Sequence, residues 1–160
     1  METVTLAMLR HADEAGVQEA GCGALNSLCC NHLENLRQTG APGAVRAISS
    51  AMVRHVGVVG VQHYGCWALR SLCADHKTNR RRAGEEEAVE AVTVAMQRHA
   101  DVAAVQKAGC AVLHSICCRH PPHRSRALAA GAVEAISAAM ARHAGEVDVQ
   151  QYGSMALGCL

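Results

Sequence analysis

Ala-Met-x-Arg-His occurs four times in this chain, and Met8, Met52, Met96 and Met140 are spaced 44 residues apart without a gap. A period of that length dictates a stack of like units, because each unit buries its apolar face only against the next copy. The same spacing carries Gln18, Gln62, Gln106 and Gln150, then Gly21, Gly65, Gly109 and Gly153, then Leu25, Leu69, Leu113 and Leu157. Cys29, Cys73 and Cys117 recur likewise, followed three residues on by His32, His76 and His120.

Within a unit, Val45/Ile48/Met52, Val89/Val92/Met96 and Val133/Ile136/Met140 fall at i, i+3, i+7, one face of a helix. Each such helix is expected to end at its Arg-His, where cations suit the negative end of the helix dipole and its unpaired carbonyls. A second helix follows, for example Val102 to Cys118, with Val105, Gly109, Leu113 and Ile116 on one stripe. A helical glycine costs about 1 kcal/mol against alanine, so its recurrence in every copy predicts close backbone contact between helices. A shorter helix precedes each pair, clearest from His123 to Gly131, while its counterpart from Glu34 to Gly43 holds glycines and a proline and reads as little more than a turn.

Composition agrees with closely packed helices. Half of the 160 residues are apolar, yet phenylalanine is absent and Trp67, Tyr64 and Tyr152 are the only aromatics, whereas β-sandwich cores draw on aromatic and β-branched residues. The formal charge of +1 lacks the basic excess that phosphate binding demands, so no nucleic acid partner is expected. No apolar run approaches the roughly 18 residues of a membrane span, and no leader pattern opens the sequence, so no membrane association is expected and the location reads as intracellular, cytoplasmic or nuclear. The nine cysteines are odd in number and sit in helical stretches, which points to reduced, buried thiols.

Three helices per 44 residues, with segments such as "VQHYGCWALRSLC" (Val61 to Cys73), resemble the armadillo repeat, whose third helix reads roughly V-Q-x-x-A-x-W-A-L-x-N-[LI]-A. "HRSRALAAGAVEAI" (His123 to Ile136) is similar to that family's first helix, glycine turn and second helix. The resemblance implies an all-α fold, a right-handed α-α superhelix of three-helix repeats forming a single solenoid over 1–160. In the family's frame the chain is a partial repeat at 1–31 followed by repeats at 32–75, 76–119 and 120–160. Glu87 stands where Gly43 and Gly131 stand in the other copies, a departure from the family's glycine turn.

In armadillo proteins of the importin alpha and beta-catenin kind the third helices line a concave groove that holds an extended partner segment. Carried over by position, the tryptophan place is held here by Gly23, Trp67, Ala111 and Met155, and the asparagine place by Ser27, Ser71, Ser115 and Cys159. One turn earlier stand Ala20, Tyr64, Ala108 and Tyr152. Small and bulky units alternate, so the groove itself repeats every 88 residues. The expectation is two platforms, Tyr64/Trp67 and Tyr152/Met155, roughly 20 Å apart with shallow pockets between them, matching partner anchors about six residues apart on an extended chain.

The Cys-x-x-His pairs have half of a zinc motif, but neighbouring pairs fall about one repeat, roughly 10 Å, apart, too far to share an ion that wants four ligands together. No metal, cofactor or catalytic residue is expected: nothing pairs a nucleophile with a base and an orienting acid. Arg80, Arg81 and Arg82 followed by Glu85, Glu86 and Glu87 read as a self-paired, solvated helix face. The expected function is a non-enzymatic scaffold binding a protein or peptide segment along its groove. The alternative is a structural subunit or fragment of a larger assembly that self-associates or joins a longer parent chain through ends lacking a polar capping repeat.

Overall fold

The computed structural model describes residues 1–31, 43–74, 76–118 and 120–160. Ten helices are present among them: α1 (Glu2–Arg10), α2 (Ala15–Asn31), α3 (Ala44–Arg54), α4 (Val59–Cys73), α5 (Lys77–Glu85), α6 (Ala88–Arg98), α7 (Ala103–Cys117), α8 (Pro121–Ala129), α9 (Ala132–Arg142) and α10 (Val147–Leu157). No strand occurs among the described residues. The turn expected from Glu34, and His32, lie outside them, although Gly43 at the end of that stretch is described.

The helices form two parallel ladders. Helices α2, α4, α7 and α10 stack in that order, each on the next, while α1, α3, α6 and α9 stack in the same order behind them. The short α5 and α8 pack where the two ladders meet. Between and within the ladders runs one continuous apolar core containing Met8, Leu25, Ile48, Met52, Leu69, Leu72, Met96, Leu113, Ile116 and Ile136.

Why the helices start and stop where they do is visible residue by residue. The N-cap of α3 is Gly43 and of α9 is Gly131, with φ of 79° and 78°. That left-handed geometry costs glycine nothing and lets the chain reverse sharply into the helix. Glu87 takes the same conformation before α6, with φ 58° and ψ 19°, so the turn survives there without its glycine. At the other end, α1, α3, α6 and α9 each stop at the histidine of Arg-His, as the sequence predicts.

The recurring glutamine closes those helix ends. Gln106 Nε2 donates to Met96 O at 3.0 Å and His99 O at 2.8 Å, and Gln18, Gln62 and Gln150 make the equivalent pairs of bonds. Carbonyls at a helix C-terminus lack intrahelical donors, and a buried one left unpaired is costly. The histidine then reaches the preceding copy: His55 Nε2 lies 2.8 Å from Ala12 O, His99 Nε2 2.7 Å from Val56 O, and His143 Nε2 2.8 Å from Ala100 O. The Arg-His turn is thus an inter-repeat clamp as well as a helix end.

The recurring glycines answer to the recurring methionines. A Cβ on Gly109 would stand 2.5 Å from Met96 Cγ, and Gly21, Gly65 and Gly153 face Met8, Met52 and Met140 in the same way. The glycine therefore admits a methionine side chain where backbone contact between helices was expected: the nearest atoms are the thioether's, because an unbranched methionine fills the gap left by the missing Cβ.

Candidate functional site

The residues expected to line a groove all lie on, or directly after, the ladder of α2, α4, α7 and α10. In its first half they come together around an open depression of about 420 Å³ lined by Glu19, Ala20, Gly23, Asn26, Ser27 and Tyr64. Tyr64 leans across from α4 onto Gly23, where an added Cβ would meet the ring at 3.8 Å, an ordinary van der Waals contact. Tyr64 stays 39 % exposed, a large apolar surface facing outward.

The second half is built differently from the expectation. Trp67 and Tyr152 come from helices on opposite sides of α7, yet their ring centroids are 6.3 Å apart in an edge-to-face arrangement. Between them α7 presents Ala108 and Ala111, which are 0 % and 1 % exposed. The two platforms therefore do not stand roughly 20 Å apart with pockets between. Helix spacing set that expectation, but two long rings lean toward each other across alanines too small to hold them apart.

Cations complete this cluster. The Arg70 guanidinium sits 5.4 Å from the Trp67 centroid and 5.9 Å from that of Tyr152. Lys107 Nζ lies 5.8 Å from Trp67 and also pairs with Asp148. Such placements within about 6 Å of a ring face contribute about 0.5–1 kcal/mol at exposed sites. Trp67 Nε1 donates to His63 Nε2 at 3.1 Å. Burial, helped by the Lys107 charge, lowers the His63 pKa below its ordinary value and so keeps the neutral ring that can accept this bond.

The serine positions are engaged with the protein itself. Ser71 Oγ donates to Asn26 Oδ1 at 2.8 Å, and Ser115 Oγ donates back to Ala111 O at 3.0 Å. Ser27 is exposed, and Met155 keeps 39 % of its surface open beside the aromatic cluster.

The thiols divide into two groups. Cys22, Cys29, Cys66, Cys73, Cys110 and Cys117 are buried in the core, and burial pushes Cys22, Cys29, Cys73, Cys110 and Cys117 up to about 12, so they stay protonated at neutral pH. In the Cys-x-x-His pairs the cysteine faces inward while His76 caps α5, its Nδ1 accepting from the Asn79 N–H at 3.2 Å. Cys30, Cys118 and Cys159 are the more accessible thiols, and His114, Cys118 and Cys159 place ligand atoms within 4.8 Å of one another. The Arg80 to Glu87 stretch behaves as expected where Arg81 pairs with Glu85 one turn away on an exposed face.

Comparison with known proteins returns one family: the chain matches the family model described as "LRRK2 ARM repeat" over residues 1–153. Neither the curated proteins nor the solved structures gave a significant match.

Proposed function

Because the chain belongs to the armadillo family described as "LRRK2 ARM repeat", we propose that it is a non-enzymatic scaffold whose third-helix face, framed as 1–31, 32–75, 76–119 and 120–160, binds an extended segment of a protein partner. The observation that carries this reading is the juxtaposition of an open depression walled by Tyr64 with a Trp67, Tyr152 and Arg70 cluster on the same ladder of helices. An apolar side chain of the segment fills the depression against Tyr64. A carboxylate beyond it meets Arg70, whose guanidinium is held against two aromatic faces. Aromatic and arginine residues in such settings are the usual hot spots of interfaces.

The chain carries its own probe, since Trp67 is the sole tryptophan. Extended peptides selected by display on the chain are expected to shift Trp67 emission on binding. Arg70→Ala and Tyr64→Ala are each expected to weaken them by about tenfold or more, the size of a hot-spot truncation. Arg81→Ala, on the exposed face of α5, serves as the control. Selected peptides that bind Arg70→Ala and Tyr64→Ala as tightly as the native chain would sink the proposal.

A second reading draws on a different surface. The outer side of α1 and α2 carries an apolar depression of about 430 Å³ lined by Val4, Ala7, Met8, Val17, Gly21 and others. A contiguous apolar face of this kind suits another helix pair of the same type. Light scattering across a concentration series distinguishes the two: a mass that rises with concentration favours stacking through this face, and a constant monomer mass speaks against it.

A further inference from the structure

Asn26, Cys30 and Ser71 form a small polar triangle at the ends of α2 and α4. Ser71 Oγ donates to Asn26 Oδ1 at 2.8 Å, and Cys30 Sγ lies 3.7 Å from Ser71 Oγ and 3.9 Å from Asn26 Oδ1. Moved on by the 88-residue spacing, the same three positions are His114, Cys118 and Cys159. They form the same triangle at the ends of α7 and α10, with Cys159 Sγ 3.2 Å from His114 Nδ1 and all three ligand atoms within 4.8 Å. The first triangle presents amide and hydroxyl oxygens with a single thiol. The second presents one imidazole and two thiols, the donor set of a borderline-soft divalent cation.

We propose that His114, Cys118 and Cys159 bind one Zn²⁺ ion, tying the third helices of the last two repeats together. Tetrahedral Zn²⁺ with bonds of about 2.3 Å to sulfur and about 2.0 Å to nitrogen sets its ligand atoms about 3.5–3.8 Å apart. The triangle is already near that size, so side-chain rotation within about 1 Å closes it without moving a helix. The ion displaces one proton from each thiol to solvent, and its two charges are matched by the two thiolates. Water takes the fourth position. His114 binds through Nδ1, with its proton on Nε2. That tautomer accepts the Cys159 S–H in the metal-free triangle, and gives up the alternative bond from Nδ1–H to Met155 O at 3.2 Å.

The surroundings favour a bound cation. The site lies at the C-terminal ends of α7 and α10, where helix dipoles favour a cation.

The chain supplies its own control, because His114→Asn with Cys159→Ser rewrites the second triangle as the first. The whole chain, kept reduced and freed of metal, is titrated with Zn²⁺ against a chromophoric chelator, and with Co²⁺ in parallel. The native chain is expected to bind one equivalent, to show thiolate-to-Co²⁺ charge-transfer absorption with tetrahedral d–d bands, and to melt at higher temperature with Zn²⁺. The double variant is expected to keep its helical circular dichroism, lose the cobalt spectrum and bind Zn²⁺ more weakly by over about a hundredfold, since even outer-shell losses cost ten- to a hundredfold. Cys30→Ser is expected to change none of these. Equal binding by the native chain and the folded double variant, or no binding by the native chain, overturns the assignment. If the double variant fails to fold, the cobalt spectrum of the native chain against Cys118→Ser decides in its place.

Discussion

Glu87 has the backbone of a glycine. Its φ of 58° lies in the left-handed region that Gly43 and Gly131 occupy in the neighbouring copies, and a side chain there costs about 1–2 kcal/mol. The surrounding helices over-determine the turn: α6 must begin at Ala88 for Val89, Val92 and Met96 to reach the core, so the residue before it accepts the strain. Glu87→Gly is expected to raise unfolding free energy by about 1 kcal/mol in urea titration, the relief of strain exceeding the entropy that glycine adds to the unfolded chain. The position was identifiable in the sequence as the odd member of a set of three. Its conformation was not, because the spacing alone does not say whether the turn keeps its shape or changes it when the glycine is lost.

At the scale of the element, the second helices are held by what happens at their ends. Each stops after eleven residues or fewer, too short to be stable alone in water. The recurring glutamine takes up the methionine carbonyl that such a helix leaves unpaired and shares the histidine carbonyl with a backbone N–H, while that histidine's ring binds the copy before. Gln106 is 1 % exposed, so Gln106→Leu keeps its bulk and removes both donors. It is expected to cost about 1–3 kcal/mol in thermal or urea unfolding, the penalty for orphaning the buried Met96 carbonyl, since His99 O keeps its bond from Val102 N–H. A change below about 0.5 kcal/mol would mean that water replaces the amide and that the cap is dispensable. Recurrence at 44 residues flagged Gln106 and His99 as structural. Their bonds remained hidden, because a helix wheel reports which face a side chain occupies and not which carbonyl stands opposite it.

Across the molecule, every described helix packs on its neighbours in the stack, and among the described residues α1 and α2 at one end and α9 and α10 at the other meet a neighbouring repeat on one side alone. A solenoid of this kind distributes stability as a sum of local terms. Hydrogen exchange is therefore expected to be slowest in α4, α6 and α7 and faster by about tenfold or more in α1 and α10, as read by mass spectrometry of peptides from each helix. Uniform protection along the chain would show a single cooperative unit instead. The sequence by itself determined the frame: its helices, where the second of them ends, and the alternation of small and bulky residues at matched positions follow from a periodicity that packing requires of a stack. The tertiary structure alone decided what the variable positions do with that frame. Trp67 and Tyr152 meet across Ala108 and Ala111 instead of forming separate platforms, and His114, Cys118 and Cys159 converge where Asn26, Cys30 and Ser71 share hydrogen bonds. Periodicity fixes where a backbone lies, but contact between side chains two repeats apart depends on their reach and on the size of what lies between them.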